Sequence, residues 1–377
     1  MPSPLPPLPL IDGCLFIDNS GWIESMSTCH RLLEYKQLFK RISSAEKPAL
    51  NFGSAVHSAL EYRYVKAQNQ RVEPWIDDEV NDVLKGEFDQ HPVPEGDWRT
   101  LNWAVEVFRR YNQRYSIEEF NLLKYNTPIE CPKCEGKGHT STLTPDGGHV
   151  VPCKWCNETG KRELMVEMSY ALPLFTWSGF LDSDGIDQDF KVTIPVFYTG
   201  RIDLPLSLDG KVFILDHKTT SLLGPMFFDR MRMSAQQRGY CWAFEQLTGQ
   251  KVSGYIVNAV RTKEPPQYVT NNTVTKTGKK QSSESWWEES LQRERFYLTS
   301  NDLSEWKSNA IAKVEEFFWH YQRGYMPMNT ENCTKWGRCP YYDVCSLAGE
   351  DRGVMLSSGL YTTNVWSPLK EPSQAKI

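Results

Sequence analysis

Two neighbouring stretches, Thr199-Gly200-Arg201-Ile202-Asp203 and Phe213-Ile214-Leu215-Asp216-His217-Lys218-Thr219-Thr220, decide how this chain is read. Each is a β-type apolar run that ends on a carboxylate. Asp216 and Lys218 are two residues apart, and a two-residue step in a strand places both side chains on one face. Around them, 163–174, 192–204, 211–216 and 252–260 read as strands, rich in Val, Ile and aromatic residues. A helix fills the gap before the last of these. It has Met233, Gln237, Tyr240, Phe244 and Leu247 on one face, Gln236 and Tyr240 four apart, and Gly249 as its stop. Upstream, helical spacing runs over 22–42, from Phe52 onward and over 103–115. Downstream, Leu303, Trp306, Ala310, Val314, Phe317 and Tyr321 mark a long helix behind the capping residues Thr299, Ser300 and Asn301. Helices followed by strands with one intervening helix indicate an α/β core with helical additions.

Composition narrows the field. With 377 residues, 40% hydrophobic, 24% charged and a net charge of −5, the chain suits a globular protein of two or three parts. No apolar run reaches the roughly 18 residues of a membrane helix, so no membrane role is expected. The Pro-rich start lacks the basic and apolar regions of a secretory signal. A reducing, cytoplasmic compartment is therefore expected, in a bacterial or phage setting, and ten cysteines then point to metal rather than disulfides.

The polar residues suggest a chemistry. Phosphodiester hydrolysis needs a hard cation with oxygen ligands. Asp203 and Asp216 from adjacent strands can bind Mg²⁺ or Mn²⁺, and His57 adds an imidazole that admits Mn²⁺. Lys218 beside the metal can orient or deprotonate water and offset transition-state charge. Gln236 and Tyr240 would hold the lysine, the water or the phosphate. His57 and Glu61 lie four apart on one helical face, with Gly53 one turn earlier. Taken singly, an Asp-x-Lys is usually a solvated strand face and a helical His usually a core residue; the ordered set is more specific.

That order, GxxxHxxxE, GRID, DxK and QxxxY, resembles the RecB-like branch of the PD-(D/E)XK nuclease superfamily over residues 20–345, apart from an insertion. The resemblance implies a restriction-endonuclease-like α/β fold, a central mixed sheet flanked by helices with the site at one edge. It implies catalytic roles for His57, Asp203, Asp216, Lys218, Gln236 and Tyr240. The backbone carbonyl of His217 would complete the metal shell, and Glu167 matches an acidic position of the family.

The cysteines form two groups. Cys131-x-x-Cys134 and Cys153-x-x-Cys156, each followed by glycines, supply four thiolates for tetrahedral Zn²⁺. This insertion resembles the zinc ribbons of DnaJ-type chaperones. The glycines should allow positive φ and let N–H groups approach sulfur. Cys333, Cys339 and Cys345 follow the last helix and suit iron–sulfur or zinc. Resemblance to CRISPR-adaptation-type iron–sulfur nucleases implies a 4Fe–4S cluster completed by Cys29, although both C-terminal gaps are of five residues here. Cys14 and Cys241 read as small apolar residues.

The expected organisation is a Pro-rich arm (1–20), a helical part carrying GxxxHxxxE (21–127), a zinc ribbon (128–162), the nuclease core with its C-terminal helix (163–330), the cysteine motif (331–347) and a tail (348–377). The function implied is a metal-dependent DNA nuclease, an exonuclease for single-stranded or frayed ends in recombination, repair or phage DNA processing. A structure-specific endonuclease and a non-catalytic DNA-binding or assembly module are the alternatives. Arg230, Arg232, Arg238, Lys263, Lys276, Lys279 and Lys280 are expected phosphate contacts in a polar loop and helix. The run Asp182, Asp184, Asp187, Asp189 reads as a turn. No GxxxxGK[ST] occurs, so a helicase or recombination protein would act in trans.

Overall fold

The computed structural model describes residues 5–45, 48–67, 71–73, 76–131, 133–144, 147–181, 191–264, 282–335 and 337–363. Strands β8 (Met168–Phe180), β9 (Lys191–Ile202) and β1 (Leu15–Ile17) form a three-stranded sheet, β1 parallel and β8 antiparallel to β9. A five-stranded mixed sheet has the order β13 (Leu291–Tyr297), β12 (Val252–Arg261), β11 (Lys211–Thr220), β10 (Leu204–Leu208), β3 (Asn121–Leu122), with β11 and β12 parallel. Strands β9 and β10 meet at a single residue, Asp203, so the chain passes from one sheet to the other there.

The two faces of the mixed sheet alternate with period two. On β11 and β12, Phe213, Leu215, Ile256 and Val260 pack toward helices α3 (Pro48–Lys66), α4 (Ile76–Gln90) and α5 (Leu101–Arg114). Ile214, Tyr255, Val257 and Ala259 join the core on the other face, with α7 (Ala235–Thr248) and α9 (Ser300–Gln322). The same alternation carries into the polar end of β11. Asp216 and Lys218 share the face of Ile214, and His217 shares that of Leu215. A capping box opens α9: Thr299 Oγ1 accepts from Asp302 N at 3.3 Å, and Asp302 Oδ2 accepts from Thr299 N at 2.7 Å. Gly249, at φ +69°, closes α7.

Several sequence expectations need correction. The 22–42 stretch is not one helix. It comprises π-helical turns at Asn19–Ile23 and Glu34–Leu38, α1 (Glu24–Thr28), α2 (His30–Leu33) and the start of β2 (Arg41–Ser43), with Cys29 extended at φ −173°. The 1–20 arm is not merely an arm, because Leu15 and Ile17 of β1 are fully buried and Tyr321 OH donates to Pro6 O at 3.0 Å. The 163–174 strand is two, β7 (Lys161–Leu164) and β8, separated at Glu167 with φ +54°. Met233 precedes α7 and is exposed. Helices α4 and α8 (Ser283–Ser290) were not anticipated. Asp182, Asp184, Asp187, Asp189, Lys276, Lys279 and Lys280 lie outside the described residues.

Gly239 shows how closely α7 packs. A Cβ there would meet Tyr198 OH at 2.3 Å and Trp306 Cζ2 at 2.7 Å, both in buried side chains. Gly239→Val is expected to destabilise the fold by about 1–3 kcal/mol through overpacking; an unchanged urea midpoint would contradict this packing.

Candidate active site and cysteine centres

His57, on α3, reaches the sheet because the helix sits close to β11. A Cβ at Gly53 would lie 2.8 Å from Thr219 Oγ1, so the residue one turn before His57 has no room for a side chain. His57 Nε2 lies 2.8 Å from the carbonyl oxygen of His217. Since a carbonyl only accepts, Nε2 carries the proton and Nδ1 faces Asp203 Oδ2 at 3.8 Å. Asp203 Oδ2 accepts from His217 N at 2.8 Å, and the Asp203 carbonyl accepts from Glu167 N at 2.8 Å. Donor atoms of His57, Glu167 and Asp203 all lie within 4.8 Å of one another.

On the other face of β11, Lys218 Nζ bonds Asp216 Oδ1 at 3.0 Å and Gln236 Oε1 at 2.9 Å. Gln236 Nε2 in turn donates to Tyr240 OH at 2.8 Å. Gln237, not singled out in the sequence, donates to Asp216 Oδ2 at 2.7 Å. The expected DxK and QxxxY residues thus form one chain of hydrogen bonds. These groups line a cavity of about 350 Å³, together with Arg201 and the Asp18-Asn19-Ser20 turn. Asp18 carries the one local signal, its side chain accepting from Gly21 N at 2.9 Å as an N-cap, which reads as structural. Arg230, Arg232 and Arg238 stand outside the cavity wall, and Arg232 faces Glu294 at 3.7 Å.

The electrostatics favour a cation. Burial, and then the charge of Asp203, pushes the Glu167 carboxyl well above its ordinary range. Burial, and then Asp216, raises Asp203. Burial works to lower Lys218, but the Asp216 and Asp203 carboxylates outweigh it and hold the ammonium charged. Arg201 Nε pairs with Glu167 at 2.7 Å. Crowded carboxylates that repel one another are relieved by a hard divalent ion. His57 Nε2 and the His217 carbonyl, 2.8 Å apart, could both face one ion once that ion displaced the Nε2 proton. The donor set therefore fits Mg²⁺ or Mn²⁺.

Behind β11 lies a polar network that the sequence did not disclose. The His217 ring stacks on Tyr64, with centroids 5.4 Å apart, and its Nδ1 lies 2.6 Å from Asn258 Nδ2. Arg293 Nε donates to Asn258 Oδ1 at 2.9 Å, which fixes that amide and makes Nδ1 an acceptor. Burial, and then the charge of His57, holds His217 well below the ordinary histidine value, so the ring is neutral. Arg293 and Arg63 share Glu118, the Arg63 contact measuring 2.9 Å.

The four ribbon cysteines converge. Cys131 and Cys153 Sγ are 3.9 Å apart and Cys134 and Cys156 Sγ 3.7 Å, against about 3.8 Å for the edge of a Zn–S tetrahedron with bonds near 2.3 Å. Gly138 N donates to Cys134 Sγ at 3.3 Å from φ +76°, as the glycine spacing suggested. Trp155 of the ribbon meets Tyr62 of α3 edge-on at 5.3 Å, and Lys66 bonds Asn157 at 2.7 Å. Cys29, Cys333, Cys339 and Cys345 form no disulfide and are all partly buried. The Cys339 thiol senses Cys333 and Cys29, and Cys345 senses Cys29 and Cys339. Asn329 N donates to Cys29 Sγ at 3.3 Å, the kind of N–H···S contact that suits a bound thiolate.

Removing Glu118 would strand two buried guanidinium groups. Glu118→Gln is expected to lower stability by about 3–5 kcal/mol in chemical denaturation; a loss below about 1 kcal/mol would contradict a shared buried charge. Burial acts to raise Glu118, but the arginines hold it below the ordinary value. Its contribution to stability is thus present above the unfolded carboxylate pKa and is lost as pH falls through the folded one.

A sequence profile of the PD-(D/E)XK nuclease superfamily matches residues 23–346. A search of curated proteins finds no match. A solved structure of a candidate exonuclease from Eubacterium rectale aligns over 88% of this chain and 89% of its own, at 10% identity and a TM-score of 0.41. With the profile match spanning most of its length and the motif residues assembled in one cavity, the chain belongs to the PD-(D/E)XK nuclease superfamily.

Proposed function

We propose that this nuclease is a Mg²⁺- or Mn²⁺-dependent deoxyribonuclease, an exonuclease acting on single-stranded or frayed ends in recombination, repair or phage DNA processing. The observation that carries the reading is the convergence of His57, Asp203, Asp216 and Lys218 on one cavity, with Lys218 held between Asp216 and Gln236. His57, Asp203, Asp216 and the His217 carbonyl would hold the metal, with Glu167 beside them. A bound metal supplies Lewis-acid polarisation of the phosphate and an activated water. Lys218 orients that water and offsets charge at the scissile phosphate; Gln236 and Tyr240 fix the lysine. A helicase or recombination protein would supply frayed ends in trans.

The test is cleavage of end-labelled single- and double-stranded DNA with Mn²⁺ or Mg²⁺, comparing wild type with Lys218→Ala. A loss of about 10²–10⁴-fold is expected in the variant, and the label position gives polarity. Equal activity in both would sink the catalytic assignment, and cutting of closed circles would favour the endonuclease alternative.

We also propose that Cys131, Cys134, Cys153 and Cys156 hold structural Zn²⁺, and that Cys29, Cys333, Cys339 and Cys345 hold a 4Fe–4S cluster that ties the two ends of the nuclease together. Protein purified without air is expected to be brown and to contain iron and acid-labile sulfide, with Cys345→Ser losing both. Colourless, iron-free wild type would remove the cluster.

A further inference from the structure

A third cluster of ligand-type side chains stands apart from the cavity and from both cysteine groups. His30 opens α2, and Glu316 and His320 lie four apart on one face of α9. His30 Nε2 is 3.8 Å from Glu316 Oε1, and His320 Nε2 is 3.9 Å from the same oxygen. The two rings are tilted at 59° with centroids 4.5 Å apart, so they do not stack face to face. We propose that His30, Glu316 and His320 form a binding site for one divalent transition-metal ion of the zinc type.

Three observations support the site. His30 is only 8% exposed, yet its Nε2 has no hydrogen-bond partner. A buried ring nitrogen without a partner needs an explanation, and a bound ion aimed at by two further ligands is one. The two nitrogen–oxygen separations exceed by only about half an ångström the roughly 3.4 Å edge of a tetrahedron with bonds of 2.0–2.1 Å. Small rotamer adjustments close that gap. Glu316 is half exposed, which leaves the fourth position to water.

Two imidazoles and a carboxylate suit zinc, nickel or cobalt and do not suit an iron–sulfur cluster. A metal here would pin the residue after Cys29 to α9 independently of what the cysteines hold.

The test is a Co²⁺ titration of the purified full-length protein, with iron and zinc quantified in parallel, on wild type, His320→Ala and Glu316→Gln. With the active-site cavity saturated by Mg²⁺, wild type should take up one equivalent that shows weak d–d bands without thiolate-to-cobalt charge transfer. Both variants should bind that equivalent at least tenfold more weakly while keeping their iron and ribbon metal. Glu316→Gln changes a half-exposed side chain and guards against misfolding of the histidine variant. Identical titrations in all three proteins, or thiolate signals alone, would overturn the site.

Discussion

A single buried carboxylate at a strand joint holds the candidate active centre together. Asp203 lies where β9 becomes β10, and it is bonded through its side chain to the backbone of β11 and through its carbonyl to Glu167. Three strands and the turn before β8 therefore take their relative positions from one residue. Its burial beside Asp216 and Glu167 concentrates negative charge in a space that water cannot screen. The surrounding cations answer that charge in pairs, Lys218 on Asp216 and Arg201 on Glu167. Such a balance leaves the His57–Asp203 side of the cavity as the place where positive charge is still wanted.

The two faces of β11 divide the labour. Asp216 and Lys218 look toward α7, where Gln236 and Gln237 hold them. His217 looks the other way, and its ring is fixed by Tyr64 and Asn258 so that its carbonyl meets His57. Glu118 with Arg63 and Arg293 forms the base of that second face. Because every member of the network is hydrogen-bonded, the buried charges add rigidity where one missing partner would leave an unsatisfied ion.

Much of this was legible in the sequence for a physical reason. Asp216 with Lys218, Gln236 with Tyr240, and Gly53 with His57 are pairs whose geometry is fixed by strand or helix period alone. Gln237 and Asn258 could be placed only by the fold, since their partners Asp216 and Arg293 lie on other elements, and Glu167 was named only through the family resemblance. The 22–42 stretch misled because its apolar spacing is helical throughout. Nothing local, neither glycine nor proline, announces the break at Cys29. Strand β1 escaped notice because three residues carry too little period, and its burial comes from pairing with Val196–Tyr198.

The partners of the N-terminal segment come late in the chain. Strand β1 needs β9; Arg31 donates to the carbonyl of Met326; Asn332 reaches the carbonyl of Thr28; and β2 pairs with β14 (Tyr361–Thr363). During synthesis the first forty or so residues therefore leave the ribosome long before anything they bind exists. Strand β1 can pair once β9 has emerged, but α1, α2 and β2 must wait for Met326, Asn332 and β14. Cys29 and its neighbours lack those partners until then, so the segment from Met326 to β14 completes the packing around them.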